Sequence, residues 1–491
     1  MSGQTSRTNS SVHDNTDLNR RSLRNELLNL IRSSGCVLPP NLDDETSLVT
    51  SGLLDSLALF NLTLWIESKI GRPIDPTCMN IAHEWDSIEN ILQYLGYNTH
   101  PKQIQGSATY ATASLLTLSD YRILNYSPTH KRAVAEFQTA LWSPDQELNL
   151  RYLDWKYEHN PYASDGRIYL AFYKDSLVGM RGFYGSWWEV GVPARRVSVL
   201  VADDLLVHED HRNRGLVAKI MQAAFKDLRG LEAQFLFNLS GSTLTVLNSI
   251  AMGWRSIGML KPMGRRSFGG GLLGAVRLQL RSLPYLWRYA AVATERHAFA
   301  RLDRAPARLL EATGLKVEIS TQARPNAMAT LIGRIGYDGR LRHLRDHVYF
   351  DWRFRNPLCE YRFLYVGGKE LQGYLVLQRP TNALHPSARV NIVDLEAVSG
   401  YVQAALLKVA VTAGAFSELV IWTSTASGLL LETLGALGFK PFDHEQAALG
   451  RPCFLVRPID ADQNGGEWRL DDVQLLDHRS WDIRMLYSMS G

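Results

Sequence analysis

Apolar and polar positions recur along this chain with two different periods, and the places where the period changes divide it. Over 21–33 the residues Leu23, Leu27, Leu28 and Ile31 stand at helical spacing, which predicts an amphipathic helix. A loop with Pro39-Pro40 and Asp43-Asp44-Glu45 follows, then Gly52-Leu53-Leu54-Asp55-Ser56-Leu57. Ser56 opens a second helix, behind an aspartate suited to capping it; the apolar stripe continues over 57–70 and stops at Gly71. Pro73 and Pro76 interrupt the pattern, and Ser87 is placed to cap a last helix over 87–95. Residues 20–98 therefore read as a small helical module, with a polar disordered tail (1–19) before it and a polar linker (99–117) after it.

Beyond the linker, short apolar runs of strand type take over. The segments 167–173 and 177–185 read as strands joined at Lys174-Asp175-Ser176, and 197–207 as a third. His208-Glu209-Asp210-His211-Arg212-Asn213-Arg214-Gly215-Leu216-Val217 then opens a helix to Leu228, followed by a strand over 234–239 and a helix over 244–251. Alternating strands and helices predict an α/β body. Asp154-Trp155-Lys156-Tyr157-Glu158-His159-Asn160-Pro161 returns, one residue shorter, as Asp351-Trp352-Arg353-Phe354-Arg355-Asn356-Pro357. Each copy leads into an aromatic strand pair, the second at 361–366 and 373–377, and then into a hydrophobic strand (390–398) and helix (401–413). An internal repeat of this kind predicts one fold built twice, over 118–268 and 316–458. A basic amphipathic connector (269–315) joins the copies, and a C-terminal extension (459–491) follows.

Composition changes this picture little. A chain of 491 residues needs several domains, and 45% hydrophobic with 21% charged residues is an ordinary globular balance. Cys36, Cys78, Cys359 and Cys453 lie too far apart for a disulfide framework or zinc site and suit a reducing cytosol, so a cytoplasmic protein is expected. No apolar run has the roughly 20 residues of a spanning helix, and the start does not read as a signal peptide. Charge is more telling. Segment 36–95 has nine acids against Lys69 and Arg72, net −7, which leaves +11 for the rest of a chain of net charge +4. Such asymmetry predicts that the two parts meet electrostatically. Basic-aromatic repeats are missing, which argues against nucleic acid. The literal G-x-G-x-x-G at 269–274 has no strand leading into it, so it is not a dinucleotide site. His208 and His211 have no third ligand, so no metal is expected.

The helical module resembles an acyl carrier protein, on the motif Gly52-Leu53-Leu54-Asp55-Ser56-Leu57 and the order of its elements. The resemblance implies a four-helix bundle with 4′-phosphopantetheine esterified to Ser56. It further implies a phosphopantetheinyl transferase and an acyl- or aminoacyl-loading enzyme as partners. Asn61, Thr63 and Trp65 replace charges usual on that family's docking helix. The strand-turn-helix around Arg212 to Val217 resembles motif A of the GNAT acyltransferases, whose Arg/Gln-x-x-Gly-x-Gly/Ala turn holds the pyrophosphate of coenzyme A. That implies phosphate binding by Arg212, Asn213, Arg214, Gly215, Leu216 and Val217, with Val217 where a small residue is usual, and acyl-CoA or acetyl-CoA as a possible cofactor. Asn238 matches the end of that family's splayed strand. Asp203, Asp204 and Glu209 are the carboxylates near the turn, with Asp204, Glu209 and Asn238 the candidate catalytic residues. The second copy has Glu396-Ala397-Val398-Ser399-Gly400 in place of the turn and reads as a copy without cofactor that shapes the acceptor site. Tandem copies also resemble, in fold alone, N-acyl amino acid synthases and the aminoacyl transferases of cell-wall crosslinking. The implied architecture is a carrier bundle followed by two tandem GNAT-like folds. The implied function is transfer of an acyl group from the arm on Ser56 to a small amine. The alternatives are acetyl-CoA acting on a tethered aminoacyl group, decarboxylation of a malonyl unit, or a non-catalytic scaffold.

Overall fold

The computed structural model describes residues 9–98, 120–266 and 299–489, apart from 35, 37, 40–41, 50, 52, 55, 72–73, 75–83, 163–166, 213, 240–245, 247–248, 313, 369, 382–388, 415, 443–452, 460–467 and 471. No helix among them is long and apolar enough to cross a membrane.

Three helices, α1 (Asn9–Ser33), α2 (Ser56–Ile70) and α3 (Ile88–Asn98), enclose a core of Leu27, Ile31, Leu59, Ile66, Trp85 and Ile91. The stretch expected as a disordered tail is helical from Asn9: it is polar, but no Gly or Pro interrupts the helix there. The expected fourth helix has no counterpart among the described residues; the loop between α2 and α3 lies largely outside them. Ser87 caps α3 as its sequence position predicts, its Oγ accepting from Asn90 N at 3.1 Å. The long loop is tied down before α2 begins: Asp86 accepts from Val49 N (2.9 Å) and Ser47 Oγ (3.2 Å), and Arg24 grips Asp44 through both carboxylate oxygens. The charge of the bundle is smaller than 36–95 alone implies, because α1 contributes Arg20, Arg21, Arg24 and Arg32. Residues 20–98 carry ten acids and six bases, net −4, and Glu89, Asp44 and Glu26 are paired with Arg20, Arg24 and Lys69.

The body holds two mixed sheets of one design. The first takes β1 (Tyr121–Asn125), β2 (Arg167–Tyr173), β3 (Ser176–Val190), β4 (Arg195–Val207), β5 (Phe235–Asn238) and β6 (Arg255–Met259). Helices α4 (Lys131–Phe137) and α5 (Gln146–Leu153) lie between β1 and β2, and α6 (Leu216–Leu228) follows β4. After β7 (Pro262–Arg266), the second sheet takes β8 (Glu318–Ser320), β9 (Cys359–Val366), β10 (Gly373–Pro380), β11 (Arg389–Ala397), β12 (Glu418–Trp422) and β13 (Lys440–Pro441). Its helices are α7 (Pro325–Ile335) and α8 (His347–Arg353) before β9, α9 (Gly400–Gly414) after β11, and α10 (Gly428–Ala436) after β12. Both sheets have one parallel pair in the middle, β4 with β5 and β11 with β12.

The last strand of each copy is exchanged. The first sheet runs β1-β2-β3-β4-β5-β14-β6, its penultimate strand being β14 (Cys453–Pro458) from the far end of the chain; the second runs β8-β9-β10-β11-β12-β7-β13, with β7 from the first half. Boundaries at 268 and 316 therefore cut the sequence but not the fold. The repeated motif lies where the halves meet. The indoles of Trp155 and Trp352 stack at 4.9 Å and 13°, and each Nε1 donates to the other's backbone carbonyl at 2.8 Å. Asn160 and Asn356 do matching work, each side-chain oxygen accepting from the backbone N–H two residues on.

Candidate active site

β4 pairs with β5 only at Leu200–Leu236 and Val201–Phe237. Past Val201 the strands separate, so among the described residues the outer half of β4 has an edge with no strand partner. At its end stands the basic turn. Arg212 is exposed and its Nε donates to Val207 O at 3.1 Å, while Arg214 donates to Asp210 O at 2.8 Å. Gly215 takes φ +67°, a left-handed conformation that suits glycine, and directly precedes α6. The backbone thus delivers the helix N-terminus beside two guanidinium groups, an arrangement that attracts phosphate. Leu216 is buried and Val217 half-buried against the core, so both act in packing; Asn213 lies outside the described residues. Tyr121 contacts His211 through its hydroxyl (3.0 Å to Nδ1), and burial lowers the pKa of that histidine, with Arg214 adding to the effect. No metal-binding cluster exists among the described residues.

The candidate catalytic residues separate in space. Glu209 is exposed on a short 3₁₀ turn. Asn238 is buried at the end of β5, 3.4 Å from Ser249 Oγ. Asp204 is held rather than free. Its carboxylate accepts from Trp142 Nε1 (2.9 Å), Lys156 Nζ (3.1 Å) and Tyr157 Oη (2.6 Å), and Lys156 also donates to Asp203 at 2.8 Å. The expectation of Asp204 as a base is corrected by this geometry, since three donors, the fully buried Lys156 ammonium among them, occupy its oxygens. Burial alone opposes the charge on Lys156, but Asp203 and Asp204 outweigh it and raise the lysine's pKa. Four rings, those of Trp142, Tyr152, Tyr157 and Tyr184, surround the ammonium at 5.0–5.5 Å.

This cluster shapes β4. The pairing of β3 with β4 skips from Met180–Leu206 to Gly182–Asp203, so β4 carries an extra residue there, and Asp204 has φ +54°. A non-glycine residue held in that region is strained and needs its surroundings to fix it. Gly182 makes this possible: a Cβ there would stand 1.8 Å from the Tyr157 hydroxyl that reaches Asp204. Sequence reading missed Lys156 because a lysine in an aromatic helical run looks like an exposed charge. The only signal was its place in the repeat, opposite Arg353.

In the second copy the corresponding opening is filled. β11 parts from β12 past Asn391–Val420, and residues of the C-terminal extension lie against it. Arg484 donates to Leu395 O at 3.0 Å and pairs with Asp394, Glu396 and Asp482. Arg345, fully buried, joins the same acids. Arg353 donates to the carbonyls of Leu486 (2.9 Å) and Ser488 (2.8 Å). What remains is a cavity of about 220 Å³ between β11 and 482–485. On the first copy a groove of about 290 Å³ runs between α6 and residues 251–253, lined by Met221, Gln222, Phe225 and Arg457.

Residues 134–252, which hold this turn and the separating strands, match the profile of the acetyltransferase (GNAT) family. The first copy is a GNAT acyltransferase domain, and the protein is an acyltransferase. No curated protein matches the sequence significantly. Solved structures with similar folds include a tandem GNAT protein from the clavulanic acid biosynthesis pathway (13% identity, covering 69% of this chain and 99% of that one, TM-score 0.42). They also include a GCN5-related N-acetyltransferase from Anabaena variabilis (10% identity, 69% and 73% covered, TM-score 0.45). A third is Saccharomyces cerevisiae N-myristoyltransferase with bound myristoyl-CoA (11% identity, 70% and 80% covered, TM-score 0.45).

Proposed function

We propose that this enzyme moves an acyl group from a phosphopantetheine thioester to a small amine, with its own N-terminal bundle as the carrier and Ser56 as the attachment point. The observation that carries the reading is the unpaired edge of β4 beside the Arg212–Gly215 turn: an extended arm can lie along that edge while its phosphate meets the turn. The backbone N–H groups of that edge are the donors available to a thioester carbonyl, and the amine attacks from the opening. Ser56 opens α2, after a loop that Asp86 ties down at Ser47 and Val49, which supports an attachment point on a fixed element. Tethering donor and catalyst in one chain raises the effective concentration to about millimolar, so weak docking suffices. A phosphopantetheinyl transferase and a separate enzyme that loads the arm are the partners this reading needs. The second copy, its opening filled by the C-terminal extension, serves as a wall of the acceptor site.

The family match, described for acetyltransferases, favours one second reading, in which acetyl-CoA is the donor and the group on Ser56 receives. The two separate in one experiment. Treatment with coenzyme A and a phosphopantetheinyl transferase should add the mass of one arm to the wild type and none to Ser56→Ala. Acyl-loaded protein should then discharge to an amine, and Arg212→Ala should slow that step at least tenfold. Failure of every loaded form to discharge sinks the first reading; transfer from acetyl-CoA onto an aminoacyl arm establishes the second.

A further inference from the structure

Arg181 is a buried cation that neither sheet provides for. It lies in the middle of β3, 3% exposed, and its Nε has no hydrogen-bond partner. Among the described residues its guanidinium makes no ion pair; the ring of Phe183, 5.8 Å away, is its aromatic neighbour. Burial lowers its pKa, with Asp203, Tyr157 and Asp204 acting against the shift. A charge left this way is costly, and a protein that keeps one generally gives it a partner at some stage of its work.

Strand geometry shows where that partner would come from. A Cβ at Gly179 would touch Leu216 and Ile220 of α6, and a Cβ at Gly182 would meet Tyr157 on the opposite face. Alternation along β3 therefore puts Arg181 on the α6 face. Asp203, paired with Gly182, faces the other way, toward Lys156, so the nearby carboxylates are committed through the far side of the sheet. Across from Arg181 stand Asp204 and Leu205, the widened part of β4, past the last β4–β5 pair at Val201. Arg181 is thus one strand in from the open edge, on the face where the Arg212–Gly215 turn starts α6.

We propose that Arg181 receives a carboxylate carried by a bound substrate, so that the enzyme selects a carboxylated acyl donor or a carboxylated amine. The proposal rests on the first copy being the acyl-transfer site. A guanidinium and a carboxylate form two parallel charge-assisted hydrogen bonds and neutralise each other; a lone carbonyl oxygen would leave the charge in place. The shared face with the phosphate-binding turn favours the donor as the source.

The test uses the full chain and binding by calorimetry. Succinyl-CoA is compared with butyryl-CoA, and amino acids with their amides, against wild type, Arg181→Met and Arg181→Lys, with free coenzyme A as a control. The wild type should prefer the carboxylated member of one pair at least tenfold, the donor pair if the acid is on the acyl group and the amine pair if it is on the acceptor. Arg181→Met should lose that preference while binding free coenzyme A as the wild type does, and Arg181→Lys should retain part of it. A wild type without preference in either pair overturns the proposal, and so does an Arg181→Met that keeps it. If the variants do not fold, the wild-type comparison decides alone. If the wild type does not bind coenzyme A at all, the reading of the first copy falls and the proposal with it.

Discussion

Lys156 carries more consequence than its position in an aromatic run suggests. Removing it leaves Asp203 and Asp204 facing four rings, so Lys156→Met should cost about 3–5 kcal/mol in urea unfolding. Adding Asp204→Asn should recover part of that loss, because it removes one of the stranded charges. The raised pKa of Lys156 gives this contribution a direction with pH. It is complete below the unfolded lysine value of about 10.4 and fades only as pH rises through the higher folded value. His343 works at the other end of the scale. Fully buried against Tyr349, with ring centroids 4.0 Å apart, it is held neutral by burial and its pKa falls to about 3. The unfolded chain takes up its proton near pH 6.5, so this site should withdraw stability as pH falls from 6.5 toward 3, by up to about 4 kcal/mol. Unfolding followed across that range in wild type and His343→Gln measures the difference; an unchanged slope in the variant refutes the assignment. Neither residue was legible as a site in the sequence, because burial and neighbours made each one what it is and both come from distant segments.

Elements were far more legible. The Arg212-x-x-Gly215 turn, the strand before it and the helix after it could all be read, since apolar period and glycine chemistry are local. Ser87 announced its cap for the same reason. Asp86 did not announce itself, although it fixes the loop before Ser56. Asp86→Ala should lower stability by about 1–3 kcal/mol and slow arm attachment at Ser56 without abolishing it, as intact-mass kinetics would show. The exchange of β7 and β14 had no local signature at all: each strand reads as apolar wherever it pairs. Its consequence at this scale is testable. Residues 1–268 expressed alone lack the strand that joins β5 to β6, so they should be recovered as aggregate or as a protease-sensitive chain.

At the level of the whole molecule, the repeat in the sequence proved to be the place where the copies hold each other. The reciprocal Trp155–Trp352 bonds and the two exchanged strands cross between the halves. The body should therefore unfold in one transition by calorimetry, with no separate melting of either copy. A body that melts in two well-resolved steps would contradict this.

The same exchange sets a schedule for synthesis. Cys453, where β14 begins, leaves the ribosome 194 residues after Met259, where β6 ends. At about 5–20 residues per second that gap lasts roughly 10–40 s. Throughout that interval the nascent first sheet has β5 and β6 apart, each with a bare apolar edge. A cell making this protein must shield those edges until the chain is nearly finished, which makes its yield depend on chaperone supply and on the pace of translation through the second copy.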